Sequence, residues 1–191
     1  AFLRERLPLE RRASAHTCDS YAYAFQLLFE FASRILKVRP SELHVEQLDA
    51  PLVLSFLEDL ETKRGNTPRS RNARLGAVRS FFRFVEHRVP SALEQVRRIN
   101  AIPLKKCDGR LVPYLTREEM QALLDAPNLQ TRFGIRDRAM LHVAFAAGLR
   151  VSELVGLRMD DVTLQSRPTM LVHGKGRKER ALPLWKETGA A

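Results

Sequence analysis

After Ser14 the apolar positions Tyr21, Phe25, Leu28, Ala32 and Ile35 recur at steps of four and three. That spacing turns one face of an α-helix toward a core. Ser14 stands before the run, where a hydroxyl can accept from an otherwise unpaired N–H. After Pro40 a short segment opens at Ser41. Leu52, Val53, Phe56, Leu57 and Leu60 then predict a second amphipathic helix, starting near Pro51 and stopping at Gly65. Thr67 and Pro68 mark the start of a third, since proline at the first helical position loses no hydrogen bond. Its inward stripe is Leu75, Val78, Phe82 and Val85. The stretch "PSALEQV" starts a fourth helix, with Ser91 and Glu94 spaced as a capping box. Four apolar stripes can close on one another, so residues 1–103 are expected to form a helical bundle that folds by itself.

The pattern breaks at "AIPLKKCDGRLVPYL", which holds two prolines, a basic pair and a turn-like Asp108-Gly109. Residues 104–112 read as an interdomain linker. Beyond it Thr116 and Glu119 form another capping box, with Leu115 and Met120 spaced to staple it. "RDRAMLHVAFAAG" predicts a buried helix ended by Gly148, and "RVSELVGL" a short helix leading to "MDDV". The tail "TMLVHGKGRKERALPL" holds two β-rich runs around a glycine-containing turn, the signature of a hairpin. The fold expected is mainly α, with a partial α+β second domain over residues 113–191.

Composition changes the picture mainly through charge. The 191 residues carry 32 Lys+Arg against 22 Asp+Glu, a formal net charge of +10, while hydrophobic content stays at 45%. Such a balance favours polyanions, nucleic acid before an anionic membrane surface. No apolar run reaches transmembrane length. No signal peptide is legible and Cys18 and Cys107 match no metal spacing, so a cytoplasmic, reducing location is expected, without membrane or metal.

The charge is concentrated. Lys63, Arg64, Arg69, Arg71, Arg74, Arg79 and Arg83 are seven basic residues in a stretch without an acid. Arg69, Asn72, Arg79 and Arg83, at steps of three, seven and four, are expected to share a face roughly opposite Leu75 and Val78. A merely solvated face mixes signs. Arginine and asparagine there can reach phosphates and base edges, with His16 and Thr17 at the start of the first helix as weaker candidates.

Two further cations sit in tightly specified surroundings. Gly148 lets a helix end and projects Arg150, and Gly174 and Gly176 isolate Lys175 at a turn. A plain reading makes Arg150 a surface partner of Glu153, one turn on, and Lys175 a solvated tip. Read jointly, a guanidinium suits bidentate phosphate contact and an ammonium suits proton delivery.

"AAGLRVSELVGLRMDDV" followed by "HGKGRKERALPL" resembles the tyrosine recombinases, the phage integrases and Xer-type site-specific recombinases. "TPRSRNARLGAVRSFFRF" resembles a helix of their four-helix, SAM-like core-binding domain. The resemblance implies DNA strand cleavage and rejoining through a 3′-phosphotyrosine, with neither metal nor nucleotide cofactor. It implies that Arg150 neutralises phosphate charge, that Lys175 protonates the leaving 5′-oxygen and that Glu153 supports the arginine. It also implies double-stranded DNA as partner, other protomers in a tetramer on paired sites, and a place in a bacterial or phage mobile element, at the nucleoid.

The family's later motifs have no match here. None of His16, His44, His87, His142 and His173 has arginine three residues on, and Tyr21, Tyr23 and Tyr114 all precede Arg150. The catalytic domain is therefore expected to be incomplete, with no nucleophile in these residues and apolar surface left open at Leu141, Phe145, Leu154 or Leu182. A chain that binds DNA without cleaving it is the expectation, and a non-catalytic accessory or competitor protein is the alternative. "GKGRK" has neither the spacing of a phosphate-binding P-loop nor its Ser/Thr.

Overall fold

Ser14 caps the first long helix, its hydroxyl accepting from the Thr17 N–H at 3.3 Å. Helix α1 (Ala15–Leu36) ends where Lys37 turns left-handed at φ 56°. Asp49 caps α2 (Ala50–Thr62), accepting from the Leu52 N–H at 2.9 Å, and Thr67 caps α3 (Pro68–Glu86) through the Ser70 N–H. These belong to a computed structural model that describes residues 1–184 except Asp108, Arg110, Leu111, Ser166, Arg167, Lys175 and Arg177. It divides into two units, Ala1–Arg110 and Leu111–Ala191.

The first unit adds α4 (Leu93–Ala101), which does not start as expected. Pro90–Ala92 forms a single 3₁₀ turn and Ala92 becomes the cap residue, so Ser91 lies too early to cap anything. Glu94 instead pairs with Arg98, one turn on, at 2.9 Å. Leu28, Val53, Phe56, Leu57, Leu60, Leu75, Val78, Phe82, Val96 and Ile99 are fully buried between the four helices. Each such side chain contributes roughly 1.5–3 kcal/mol of transfer free energy, enough to set the register of the bundle. Ile35, expected inward, is 55% exposed, while Leu36 beside it packs against the core instead.

Phe2–Glu10 forms an additional helical segment of π type. Its buried residues, Phe2 and Leu7, stand five apart, a step outside the three-and-four spacing of an α-helix. Phe2 packs among Tyr21, Phe25, Phe81 and Phe84, with ring centroids 5.3–6.5 Å away.

In the second unit the Thr116–Glu119 capping box forms in both directions and starts α5 (Arg117–Asp125). Thr131 caps α6 (Arg132–Ala147), and Gly148, left-handed at φ 56°, ends it. Helix α7 (Val151–Val155) follows at once. Three antiparallel strands come next: β1 (Val162–Thr163), β2 (Thr169–His173) and β3 (Glu179–Pro183), in that order across the sheet. The hairpin was expected; the short third strand, β1, was not. In the β2–β3 register Val172 faces Arg180 and His173 faces Glu179. Met170, Val172 and Leu184 form a small core with Val143, Ala147, Leu149 and Leu157. Helix α6 is not the buried helix its composition predicts. Leu141 is half-buried and Phe145 is 58% exposed, because no further layer among the described residues covers that side.

Candidate functional site

The seven clustered cations divide by what they touch. Arg71 and Arg79 stand one turn before and one turn after Leu75, so they border the buried stripe rather than oppose it. Arg71 is only 4% exposed and donates to the Pro103 carbonyl at 2.9 Å. Arg79 donates to the Ile102 carbonyl. Burial, then the like charges of Arg83 and Arg71, hold its guanidinium below the ordinary arginine value. Asn72 completes the row, giving its amide hydrogen to the Lys105 carbonyl at 2.7 Å and accepting from the Lys105 N–H at 3.0 Å. The chain leaving α4 thus has three carbonyls, those of Ile102, Pro103 and Lys105, satisfied by α3. Arg69, Asn72, Arg79 and Arg83 therefore differ in role: Asn72 and Arg79 are half-buried against residues 102–105, whereas Arg69 and Arg83 are exposed.

Of the others, Lys63, Arg64, Arg69 and Arg83 are exposed and Arg74 is half-buried. Arg69 and Arg83 are exposed and have no hydrogen-bond or ion-pair partner among the described residues. Lys63 pairs with Asp59 at 2.9 Å, which draws that carboxyl below its usual range. Arg64 reaches the Tyr23 hydroxyl at 3.3 Å. Arg74 lies over the Tyr23 ring, 4.9 Å from its centroid, and donates to the Ser20 carbonyl. His16 is exposed in the first turn of α1, and the Thr17 hydroxyl bonds Ser14 at 3.0 Å.

In the second unit Arg150 is the residue before α7. Its backbone N–H donates to Glu153 Oε2 at 3.0 Å and its guanidinium to Oε1 at 3.0 Å. The Glu153 carboxylate is 3% exposed, whereas the Arg150 side chain is 71% exposed. Arg180, from β3, takes both carboxylate oxygens, Nη1 on Oε1 at 3.2 Å and Nη2 on Oε2 at 3.0 Å. The Arg180 hydrogen bonds, then the Arg150 N–H, pull the Glu153 carboxyl down to about 2, and Arg180 is raised in return. Gly174 closes the packing. A Cβ there would lie 3.2 Å from the Lys178 carbonyl oxygen and 3.4 Å from Glu153 Oε1.

Lys175 itself lies outside the described residues. Beside it in the sequence, His173 bonds Glu179 through Nδ1 and Asp161 through Nε2, each at 3.0 Å. The Asp161 bond, followed by the Glu179 bond, raises the imidazole above its ordinary value. The Arg158 N–H, followed by His173, lowers Asp161. Arg180, Gly174 and this His–carboxylate set went unnoticed in the sequence. Nothing at Glu153 in the sequence called for a second cation, since Arg150 already balances it; the need comes from the burial of the carboxylate.

Residues 113–191 match the phage integrase family and residues 2–89 the phage integrase N-terminal SAM-like domain. Two Sinorhizobium fredii proteins named as integrase/recombinases are similar. Protein y4rC is 46% identical over 190 residues, covering 100% of this chain and 57% of the relative. Protein y4rD is 40% identical over 192 residues, covering 100% and 68%. Tyrosine recombinase XerD of Haemophilus influenzae is 30% identical over 179 residues, covering 94% and 57%. The chain therefore spans between about half and two thirds of the length of these relatives. In fold it is similar to the XerH site-specific recombinase bound to palindromic difH substrate in a post-cleavage complex. That match has a TM-score of 0.66 at 22% identity and covers 93% of this chain and 51% of XerH. Among the described residues no helix is long and apolar enough to cross a membrane.

Proposed function

Since the chain belongs to the phage integrase family of tyrosine recombinases, we propose that it is the DNA-binding and phosphate-holding part of a site-specific recombinase. Residues 1–103 grip duplex DNA, 104–112 link, and 113–191 hold the scissile phosphodiester. Arg69 and Arg83 meet phosphates directly, with Lys63, Arg64, Arg74, His16 and Thr17 around them. Arg71, Asn72 and Arg79 act behind them, keeping the segment after α4 in place.

In the reaction a tyrosine oxygen attacks phosphorus, its phenolic proton passing to a base. A 3′-phosphotyrosine ester forms and the bond from phosphorus to the 5′-oxygen breaks. Arg150 neutralises the non-bridging oxygens as negative charge grows on them. Lys175 gives its ammonium proton to the departing 5′-oxygen. Glu153 holds Arg150 by two contacts. All three tyrosines of these residues precede Arg150, so the 191-residue chain binds DNA and leaves it uncut. Cleavage by a longer form would proceed between protomers assembled on paired sites.

The observation that carries this reading is the exposed Arg150 guanidinium set beside a buried carboxylate in a family whose chemistry requires a phosphate-binding arginine there. Duplex affinity measured across salt tests the binding half. With roughly five phosphates contacted, log K should fall with log[salt] at a slope of about −4 to −5. A flat dependence refutes it.

A further inference from the structure

Glu153 serves two guanidiniums, and they are not equivalent. Arg180 matches both carboxylate oxygens with two nitrogens, whereas the Arg150 guanidinium touches one oxygen. Two positive charges meet one negative charge, so one positive charge is left over. Exposure shows where it resides. Arg150 is 71% exposed, Arg180 37% and the carboxylate 3%. A bidentate fork is the stronger and more directional pairing. It leaves the surplus charge on the residue that faces solvent.

We infer that Arg180 is a positioning residue that neutralises Glu153 and so frees the guanidinium of Arg150 to take a phosphate. This rests on the reading of Arg150 as the phosphate-binding arginine. Without Arg180 a carboxylate almost closed to water would keep a single counter-ion. Arg150 would be drawn onto it, and the surplus charge would vanish. An anion would then have to break an ion pair to reach the arginine. The same three groups also fix where β3 meets α7, with Gly174 admitting the Glu153 carboxylate beside the hairpin backbone. A Cβ at position 174 would crowd the Lys178 carbonyl at 3.2 Å and touch Glu153 Oε1 at 3.4 Å.

A double substitution separates this role from a merely structural one. Arg180→Gln should weaken binding at Arg150, and adding Glu153→Gln should bring it back, because the carboxylate that captured Arg150 is then gone. A merely structural role for Arg180 gives the opposite order, with the double variant as poor as the single or worse.

The test uses the 191-residue chain with ¹⁵N-labelled arginine, titrated with inorganic phosphate, the Arg150 signal being identified by its loss in Arg150→Ala. In the unsubstituted chain the Arg150 signal should move. In Arg180→Gln the affinity should fall by about tenfold or more, the scale of one lost charge-assisted hydrogen bond. In Glu153→Gln/Arg180→Gln it should return. Unchanged affinity in the single variant, or no recovery in the double, overturns the inference. If Arg180→Gln does not fold, Arg180→Lys decides: an ammonium loses the two-nitrogen fork, so affinity should fall in Arg180→Lys and return in Glu153→Gln/Arg180→Lys, and unchanged affinity in the first or no recovery in the second overturns the inference. A separate readout needs no anion. Exchange of the Arg150 Nε–H with water should slow in Arg180→Gln, as Arg150 closes onto Glu153, and an unchanged rate counts against Arg180. Absence of any phosphate response in the unsubstituted chain would instead refute the phosphate reading of Arg150, leaving the exchange comparison to decide Arg180.

Discussion

Arg71 and Arg69 are two positions apart on α3, carry the same charge, and should fail in different ways. Arg71 is buried and donates to the Pro103 carbonyl at 2.9 Å; Arg69 is exposed. Arg71→Ala removes a hydrogen bond from a charged donor, about 1.5–3 kcal/mol, and leaves a carbonyl short of a partner. The lost packing of its aliphatic stem adds roughly 1 kcal/mol. The first unit spans Ala1–Arg110, and for a domain of that size each kcal/mol lowers Tm by about 4–8 °C. Arg71→Ala should therefore drop the first unit's transition by about 8 °C or more. Arg69→Ala should stay within about 0.5 kcal/mol of the parent while making the salt slope of DNA binding shallower by about 0.9. Calorimetry on the 191-residue chain measures the first, with the transition assigned by its response to Phe82→Ala in the core. Fluorescence anisotropy at several salt concentrations measures the second. If Arg71→Ala kept the parental Tm and altered the salt slope as Arg69→Ala does, the division of these cations into inner and outer sets would be wrong.

Other outcomes can be stated in the same terms. His173 is raised by Asp161 and Glu179, so its stabilising effect is complete below its unfolded value of about 6.5 and is lost as pH rises through its higher folded value. The second unit should be more stable near pH 6 than near pH 8.5, and His173→Gln should flatten that difference in urea titrations. Glu153 behaves oppositely: its contribution is present above the unfolded value and disappears as pH falls toward about 2. Gly134→Ala would place a Cβ 1.9 Å from the Asn128 carbonyl oxygen, a cost of about 1–3 kcal/mol visible as weaker amide protection across α5 and α6. The 191-residue chain should form no covalent adduct on a suicide DNA substrate, as denaturing gels would show; an adduct would make Tyr21, Tyr23 or Tyr114 a nucleophile. In a longer form bearing a tyrosine after Arg150, a 5′-bridging phosphorothiolate should rescue Lys175→Ala and not Arg150→Ala, because sulfur leaves without a proton. Rescue of both would refute those roles.

Local signals carried far in this chain. Ser14, Thr67 and Thr116 cap helices because a short side-chain oxygen beside an apolar run satisfies N–H groups that are otherwise unpaired. Ser91 offered the same signal and did not, since Pro90 initiated a tighter turn one residue too soon. Periodicity found the stripe of α3 but not the role of the arginines beside it. Whether Arg71 meets a phosphate or the Pro103 carbonyl is decided by a segment 32 residues away. The π-type step between Phe2 and Leu7 fell outside the spacing sought. Arg150 was legible from its glycine-ended helix, whereas Arg180 looked like one more cation in a basic hairpin. Its meaning comes from Glu153, and no spacing rule links a helix start to the second strand of a later hairpin.

The Glu153–Arg180 bridge also sets an order of events during synthesis. Arg150 and Glu153 lie three residues apart and can pair as soon as that turn exists, whereas Arg180 follows 27 residues later. Before β3 exists the pair is a solvated contact between near neighbours in sequence, worth only about a few tenths of a kcal/mol. The charge layout at this spot therefore waits on the hairpin, and a chain whose hairpin is undocked holds Arg150 no better than any surface arginine.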